Sequence, residues 1–299
     1  MALLKKNEVF IIGTLVDIKT DVRTSSENKK YISGKLSIKV VADGVENVID
    51  VSIFSFEKTK DGADSKMFKS YCGLDSLLGK RVRVNGSLGE GSIVDEQSGD
   101  VRHFNQINAR FINAAYSSDI EDKATFEYSG FVVRELYERK DREDNLLGYR
   151  IDVAQATYND DNCIVVRFDV NKDDIKKAET ISTYYIVGST VEFSGILTSV
   201  TTTETRTVEA DFGEPMTKTF AKTEKGYVIV SGNLPIDESN ENAYNDATRR
   251  MLVAAYKDAD VKRVEKARNA AASSTTPTAD NSAAAAMNSI TRSARQSLI

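Results

Sequence analysis

The chain has 299 residues, of which 40% are hydrophobic and 28% are charged, with a net charge of -5 at neutral pH. This length fits two domains plus extensions. No apolar run approaches the roughly 18 residues that cross a bilayer, so the composition excludes a helical membrane protein and indicates a globular one.

Alternation of apolar and polar residues predicts five strands in the first part of the chain. They cover residues 8–18, 30–41, 47–56, 80–88 and 102–113. Between the third and fourth strands, apolar residues from Met67 to Leu78 recur at helical spacing and predict a helix or a pair of turns. Gly13 lies inside the first strand, where a β-bulge would bend the strand around a barrel. We therefore expect residues 1–116 to form a five-stranded OB-like barrel of order β-β-β-α-β-β.

The next part of the chain repeats this order. The segment LGKRVRVNGSL at 78–88 matches VGSTVEFSGIL at 187–197, so that Gly79 corresponds to Gly188 and Gly86 to Gly195. Further strands are predicted at 126–136, with Gly130, and at 147–157, 163–170, 190–197 and 226–234, with a helix inside 173–188. We expect the first glycine of each segment to end its helix in a left-handed conformation, and residues 117–236 to form a second OB-like barrel. The alternative is that two unrelated β-domains share the pattern by chance.

Three segments extend this tandem β-structure. Residues 198–225 predict a long, Thr-rich hairpin arm, whose acidic residues would repel phosphate and favour contact with protein. Residues 237–272 predict a helix with Tyr244, Met251 and Leu252 on its packing side. Residues 273–299 are rich in Ala, Ser and Thr and predict a flexible tail. We expect the arm and this helix to mediate self-association.

Signatures of catalysis are missing from the sequence. It has no phosphate-binding glycine loop, no HExxH and no G-x-S-x-G. Its single histidine, His103, is interpreted as a surface residue. Cys72 and Cys163 have no metal-ligand spacing, and the N-terminal segment MALLKKNEVF reverses the order of a secretory signal. We expect a cytoplasmic, non-enzymatic protein that uses no cofactor and no metal.

The outer face of the first predicted barrel is the candidate binding site. Alternation turns Ile32, Leu36, Ile38 and Val40 inward and leaves aromatic and basic residues outside. Flat rings can stack on unpaired bases, and the neighbouring cations can approach phosphates. The loop KTDVRTSSENKK, residues 19–30, fits a flap that closes over a bound strand. The predicted nucleic-acid-binding residues are Arg23, Lys29, Lys30, Tyr31, Lys35, Lys39, Phe54, Phe56, Arg81 and Arg83. The alternative is that Phe54 and Phe56 are covered by a helix or by the second domain, and that the lysines form an ordinary solvated edge.

The corresponding face of the second predicted barrel has a different composition. Its outward positions are Arg150, Asp152, Arg167 and Asp169, which mix charges without aromatics. Residues 1–116 hold 17 Lys and Arg against 15 Asp and Glu, whereas residues 117–236 hold 14 against 22. We expect this acidic half to bind DNA poorly and to serve assembly.

The element order, the glycine in strand one, the G-x-x-V-x-V-x-G segment and the aromatic-plus-lysine face resemble single-stranded-DNA-binding proteins of the OB-fold class. The tandem arrangement with a low-complexity tail is similar to such proteins from double-stranded-DNA bacteriophages. The resemblance implies single-stranded DNA as the ligand, shielding of unpaired strands in replication or recombination, and replication proteins as partners. The segment ITRSARQSLI, 290–299, departs from the acidic tails of bacterial members because it has two arginines and no acid. The alternatives are a structural or assembly protein of a virion or scaffold, and a recombination annealing protein.

Overall fold

A computed structural model of the chain is mainly β-structure. It describes residues 3–42, 44–95, 98–141, 143–208 and 216–274, and for 200–208, 216–224 and 270–274 it describes the backbone alone. The strands are β1 Asn7–Thr24, β2 Lys30–Ala42, β3 Val45–Phe56, β4 Arg81–Val94, β5 Val101–Ala114, β6 Lys123–Lys140, β7 Leu146–Ala156, β8 Cys163–Asn171, β9 Thr190–Val208 and β10 Met216–Gly232. The helices are α1 Lys66–Cys72, followed by a 3-10 turn at Leu74–Leu77, α2 Ile175–Tyr184 and α3 Asp246–Ser274.

Strands β1 to β5 close into a barrel, called here the first barrel. Their hydrogen-bonded order is β2-β3-β5-β4-β1, and β1 also pairs with β2. The pairings of β1 with β2 and of β2 with β3 are antiparallel, whereas β3 meets β5 in parallel. The predicted inward residues are buried, which confirms the alternation: Ile32, Leu36, Ile38 and Val40 on β2, and Ile49, Val51 and Ile53 on β3.

Strands β6 to β10, called here the second strand set, follow the same order of neighbours. The order is β6-β7-β8-β10-β9, β6 also pairs with β9, and β8 meets β10 in parallel. The two sets are joined where β1 pairs with β6, with Val9 opposite Phe126. Aromatic side chains fill the centre of the second set, where the rings of Phe168 and Phe193 lie 4.7 Å apart and those of Tyr128 and Phe168 lie 4.9 Å apart. The predicted succession of strands and helix in this part of the chain is confirmed.

The repeated glycines occupy matching places in the two strand sets. Gly79 and Gly188 have the predicted left-handed conformation, with φ values of +75° and +90°. Neither ends its helix as predicted, because the 3-10 turn is capped at Leu78 and α2 at Tyr185. Gly13 does not lie at a bulge, since the β1 irregularity falls between Leu15 and Asp17. Gly13 is required for a close approach instead, because a Cβ atom there would lie 2.3 Å from the carbonyl oxygen of Lys39.

The arm and the last helix differ in detail from their predictions. Strands β9 and β10 stay paired from Gly232 opposite Phe193 to Met216 opposite Val208, which confirms a hairpin, and its tip at 209–215 lies outside the described residues. Helix α3 begins later than predicted, so Tyr244 precedes it as a buried residue. Leu252 is buried, but Met251 is exposed and was wrongly placed on the packing side. Of the predicted flexible tail, residues 275–299 lie outside the described part of the chain.

The chain divides into two units. The larger unit is Met1–Gly91 with Phe104–Ala255, and the smaller one contains Ser92–His103 and the chain from Tyr256 onward. Within the smaller unit, His103 Nε2 lies 2.9 Å from Asp260 Oδ2, and the imidazole packs on the Tyr256 ring. The His103 side chain is only 10% exposed, so its interpretation as a surface residue is wrong. None of the helices in the described residues has the length and apolarity needed to cross a membrane.

Candidate nucleic-acid interface

Three aromatic rings meet on the outer face of the first barrel. Tyr31 lies opposite Phe56 in the β2–β3 register, and Phe54 is one outward position further along β3. The ring centroids of Tyr31 lie 5.6 Å from Phe54 and 6.0 Å from Phe56, and the two phenylalanines are 5.0 Å apart. These separations are typical of interacting aromatic side chains. Tyr31, Phe54 and Phe56 are called here the aromatic cluster.

The aromatic cluster is open to solvent. Phe54 is 53% exposed and Phe56 is 40% exposed, so the alternative that a helix or the second domain covers them is wrong. Helix α1 follows β3 but turns inward, because Ser65 caps it and hydrogen-bonds to Ser55 at 3.0 Å, and because Phe68 is buried in the core. Large rings exposed side by side are a common mark of a binding surface.

Strand β1 forms the third strand of this face. Its second half pairs with β2 up to Thr24 opposite Lys30, so the predicted flap over residues 19–30 is wrong, and only 25–29 form a turn. Arg23 therefore lies directly opposite Tyr31. The register also brings Lys19 opposite Lys35, one outward row beyond Phe54. Lys19 is not among the predicted binding residues. The signal for it was the alternation of Lys19, Asp21 and Arg23 with the residues between them, which extends the strand pattern beyond residue 18.

Most cations of this face are paired with nearby carboxylates, all on exposed side chains. The nitrogen-to-oxygen distances range from 2.6 to 3.5 Å for Lys19–Asp17, Arg23–Asp21, Lys29–Glu27, Lys30–Glu57 and Lys39–Glu46. Exposed pairs of this kind contribute about 0 to 1 kcal/mol each, so a phosphate group can replace the carboxylate at little cost. Lys35 is exposed and forms no ion pair within the described part of the chain.

An acidic residue bounds the face on β3. Asp50 accepts hydrogen bonds from Ser37 at 2.9 Å and from Lys225 at 2.6 Å. Burial opposes ionisation, yet these two hydrogen bonds outweigh it and lower the pKa of Asp50. Beside it, Asn47 Oδ1 accepts from the backbone N–H of Ser199 at 2.9 Å. The base of the β9–β10 arm is therefore fixed against β3, at the end of the face opposite the aromatic cluster.

Arg81 and Arg83 are not brought to the aromatic cluster. Arg81 donates to the Asp119 carbonyl and to Asp122 Oδ1, each at 2.6 Å. Arg83 packs on the rings of Phe10 and Tyr116, at 4.6 and 5.3 Å. The strand register shows how far Arg81 lies from the aromatic cluster. Through Thr14 on β1, Arg81 is in the same cross-strand row as Lys39 on β2. Lys39 is eight residues from Tyr31, which is about 26 Å along the strand. Both arginines hold the connection between β5 and β6 in place.

The corresponding face of the second strand set carries a charge network. Two rows of residues lie opposite one another across β6, β7 and β8. One row is Arg134, Asp152 and Arg167, and the other is Tyr137, Arg150 and Asp169. Asp169, with its side chain 9% exposed, accepts hydrogen bonds from Arg139 and Arg150 at 2.9 Å. The Arg134 guanidinium lies 3.6 Å from the centre of the Tyr137 ring.

The outward positions of β7 and β8 mix charges without aromatics, as expected. Tyr137, which joins this face from β6, was not predicted from the sequence. Strand β6 was predicted to end at residue 136, and register shifts on either side of Arg134 carry it further. Burial raises the pKa of Asp152 in this network, despite the nearby arginines.

Comparison with known proteins gives a family and a fold. A family model described as YorF matches residues 5–275. Curated protein sequences yield no match. The wild-type single-stranded DNA binding protein from Thermus aquaticus is similar in structure, with a TM-score of 0.50 and 14% identity over 80% of this chain and 98% of that one. A deletion mutant of that protein matches equally well, over 79% of this chain. At this identity the likeness shows the fold alone, and the first barrel is OB-like.

Proposed function

The chain belongs to the YorF family, and we propose that it is a non-enzymatic protein that binds single-stranded DNA. The observation that carries this proposal is the exposed aromatic cluster on the outer face of the OB-like barrel. Stacking of an unpaired base on an aromatic ring contributes about 1 to 3 kcal/mol and tolerates any sequence. Duplex DNA keeps its bases paired, so rings of this kind favour single strands.

The surroundings of the cluster support the same ligand. Arg23 and Lys35 lie within two outward rows of the rings, where they can reach the phosphates on either side of a stacked base. The structural neighbours from Thermus aquaticus are single-stranded DNA binding proteins by description. An OB-like barrel uses the outer face of its second and third strands for oligonucleotides, and the cluster lies on those strands.

The proposal extends to the whole chain. Residues 1–116 and 117–236 are proposed to be tandem OB-like domains, supported by the recurring order of strand neighbours. The second domain, the arm at 198–225 and helix α3 are proposed to mediate self-association. By the resemblance of its sequence features, the protein coats unpaired strands during replication or recombination, as bacteriophage proteins of this type do, in the host cytoplasm and beside replication proteins.

A fluorescence-anisotropy titration with labelled oligo-dT at low and high salt tests the proposal. Saturable binding that weakens as salt rises is expected, because binding releases the counterions of the phosphates. A duplex of the same length is the control and should bind much more weakly. A virion or scaffold protein, the alternative that the long arm favours, would give no saturable signal with either DNA.

A further inference from the structure

A groove runs between helix α2 and strands β6 and β7 of the second set. Its volume is about 420 Å³, and it is lined by Leu136 and Tyr149 from β6 and β7 and by Ile175 and Ala178 from α2. Leu136 and Tyr149 are only partly buried against the hydrophobic core. Polar side chains line the groove beside these apolar ones, namely Glu138, Glu179, Ser182 and Thr183. A mixed lining that is open to solvent in this way is suited to a segment of another chain.

One exposed apolar residue and two acidic residues line this groove. Ile175 is 59% exposed. Glu138 and Glu179 lie on the lining of the groove. Glu138 lies 3.4 Å from Lys140, whereas Glu179 forms no ion pair with any described residue. The groove therefore suits a ligand with apolar side chains and positive charges.

The chain itself contains a segment of that chemistry. Residues 290–299, ITRSARQSLI, combine Ile290, Leu298 and Ile299 with Arg292 and Arg295, and no acidic residue occurs between 281 and 299. We propose that the groove beside α2 binds residues 290–299 of a second copy of the chain. The apolar side chains lie on the groove floor and the arginines face Glu138 and Glu179. Residues 275–289 give the segment a connection of up to about 50 Å, enough to extend to a neighbouring molecule.

Disulfide trapping between two full-length variants tests this contact without DNA, so the result does not depend on the proposed function. Both variants carry Cys72→Ser, since Cys72 is exposed, and keep the buried Cys163. One variant carries Ser182→Cys in the groove and the other Ser297→Cys in the segment. The matched control replaces Ser182→Cys with Thr180→Cys, an exposed position on α2 that does not line the groove. After mild oxidation, mass spectrometry quantifies the peptide that joins the two cysteines.

The proposal expects several-fold more trapping at Ser182→Cys than at Thr180→Cys. Adding Glu179→Lys to the Ser182→Cys variant should lower trapping, and raising the salt concentration should lower it as well. Equal trapping at the two positions of α2 would overturn the proposal, as would trapping that Glu179→Lys leaves unchanged. Circular dichroism and thermal unfolding establish that each variant is folded before oxidation. If the segment binds DNA instead of the groove, the two positions trap equally.

Discussion

The outer faces of β2–β3 and of β7–β8 occupy the same place in two similar strand orders, yet they carry different chemistry. On the first, Phe54 and Phe56 are about half exposed, and the surrounding cations form only exposed ion pairs. On the second, Asp169 is almost fully buried between Arg139 and Arg150. Strand order therefore decides where a face lies, whereas the pairing of its side chains decides whether they are free to bind a ligand.

This difference has a physical origin. A charge taken out of water must be compensated by a partner, and separating the partners again is costly. The arginines beside Asp169 therefore stabilise the folded protein and are not available to a ligand. Exposed rings are available, because the free energy is lowered when a base stacks on them and displaces solvent. Four variants, one of them a double substitution, test whether this difference between the two faces holds.

Replacing the two exposed rings should have the largest effect. Phe54→Ala combined with Phe56→Ala removes stacking for about two bases, so affinity for oligo-dT should fall by about 2 to 6 kcal/mol. Because the two side chains lie outside the core, the unfolding transition should change little. The matched control is Phe104→Ala, which removes a phenylalanine of similar exposure from the other end of β5, four residues before the Asn108 that lies opposite Ser52, and should leave affinity unchanged. A folded double variant that binds oligo-dT as tightly as the parent would contradict the role of the aromatic cluster in binding.

Asp169→Ala tests the other face through stability. It leaves two guanidinium groups without their buried acceptor, so the free energy of unfolding in urea should fall by about 3 kcal/mol. Affinity for oligo-dT should stay close to that of the parent while the protein is folded. Glu138→Ala, which removes an exposed pair with Lys140, should change stability by no more than about 1 kcal/mol. A similar loss in the free energy of unfolding for both variants would show that the charge network does not stabilise the fold more than an exposed ion pair does.

Lys35→Ala separates free cations from paired ones. Lys35 forms no ion pair within the described residues, so it is available to a phosphate. The slope of log affinity against log salt should become shallower by about 0.7, the value for one phosphate contact on a single strand. Lys19→Ala is the control, since Lys19 lies opposite Lys35 but must first leave Asp17, and it should change the slope less. Equal changes would mean that the intrachain pairs do not matter for binding.

Asp152→Asn should have the smallest effect. Burial raises the pKa of Asp152, so the carboxyl group binds a proton more readily in the folded protein than in the unfolded chain. The stability that this preference provides is complete below the ordinary pKa of 3.8 and is lost as pH rises through the raised pKa. The variant should therefore be slightly more stable than the parent at pH 7, by less than about 1 kcal/mol. Urea unfolding at pH 7 and below pH 3.8 checks whether this advantage disappears in acid, and an advantage that persists there contradicts the assignment.

The exposed aromatic cluster could be predicted from the sequence because it depends on local periodicity. Alternation along β2 and β3 placed Ile53 inside and Phe54 outside without knowledge of the rest of the chain. The paired glycines were found for a similar reason, since Gly79 and Gly188 each precede a strand and need a left-handed conformation.

The errors arose where distant residues or bulges decide the outcome. Arg81 and Arg83 face outward as predicted, but they form ion pairs with Asp122 and Asp119. No local sequence pattern places these two acids beside β4. Tyr137 was missed because register shifts in β6 disturb the alternation that was used to assign faces.

Photo-crosslinking shows which of the two faces contacts DNA, because it compares both faces within one molecule. A dT oligonucleotide that carries 5-iododeoxyuridine is bound to the full-length protein, irradiated, and the crosslinked residues are identified by mass spectrometry. The account predicts that the crosslinks fall on Tyr31, Phe54 and Phe56. Saturable binding with crosslinks on β7 or β8 instead, and none on the aromatic cluster, would contradict it.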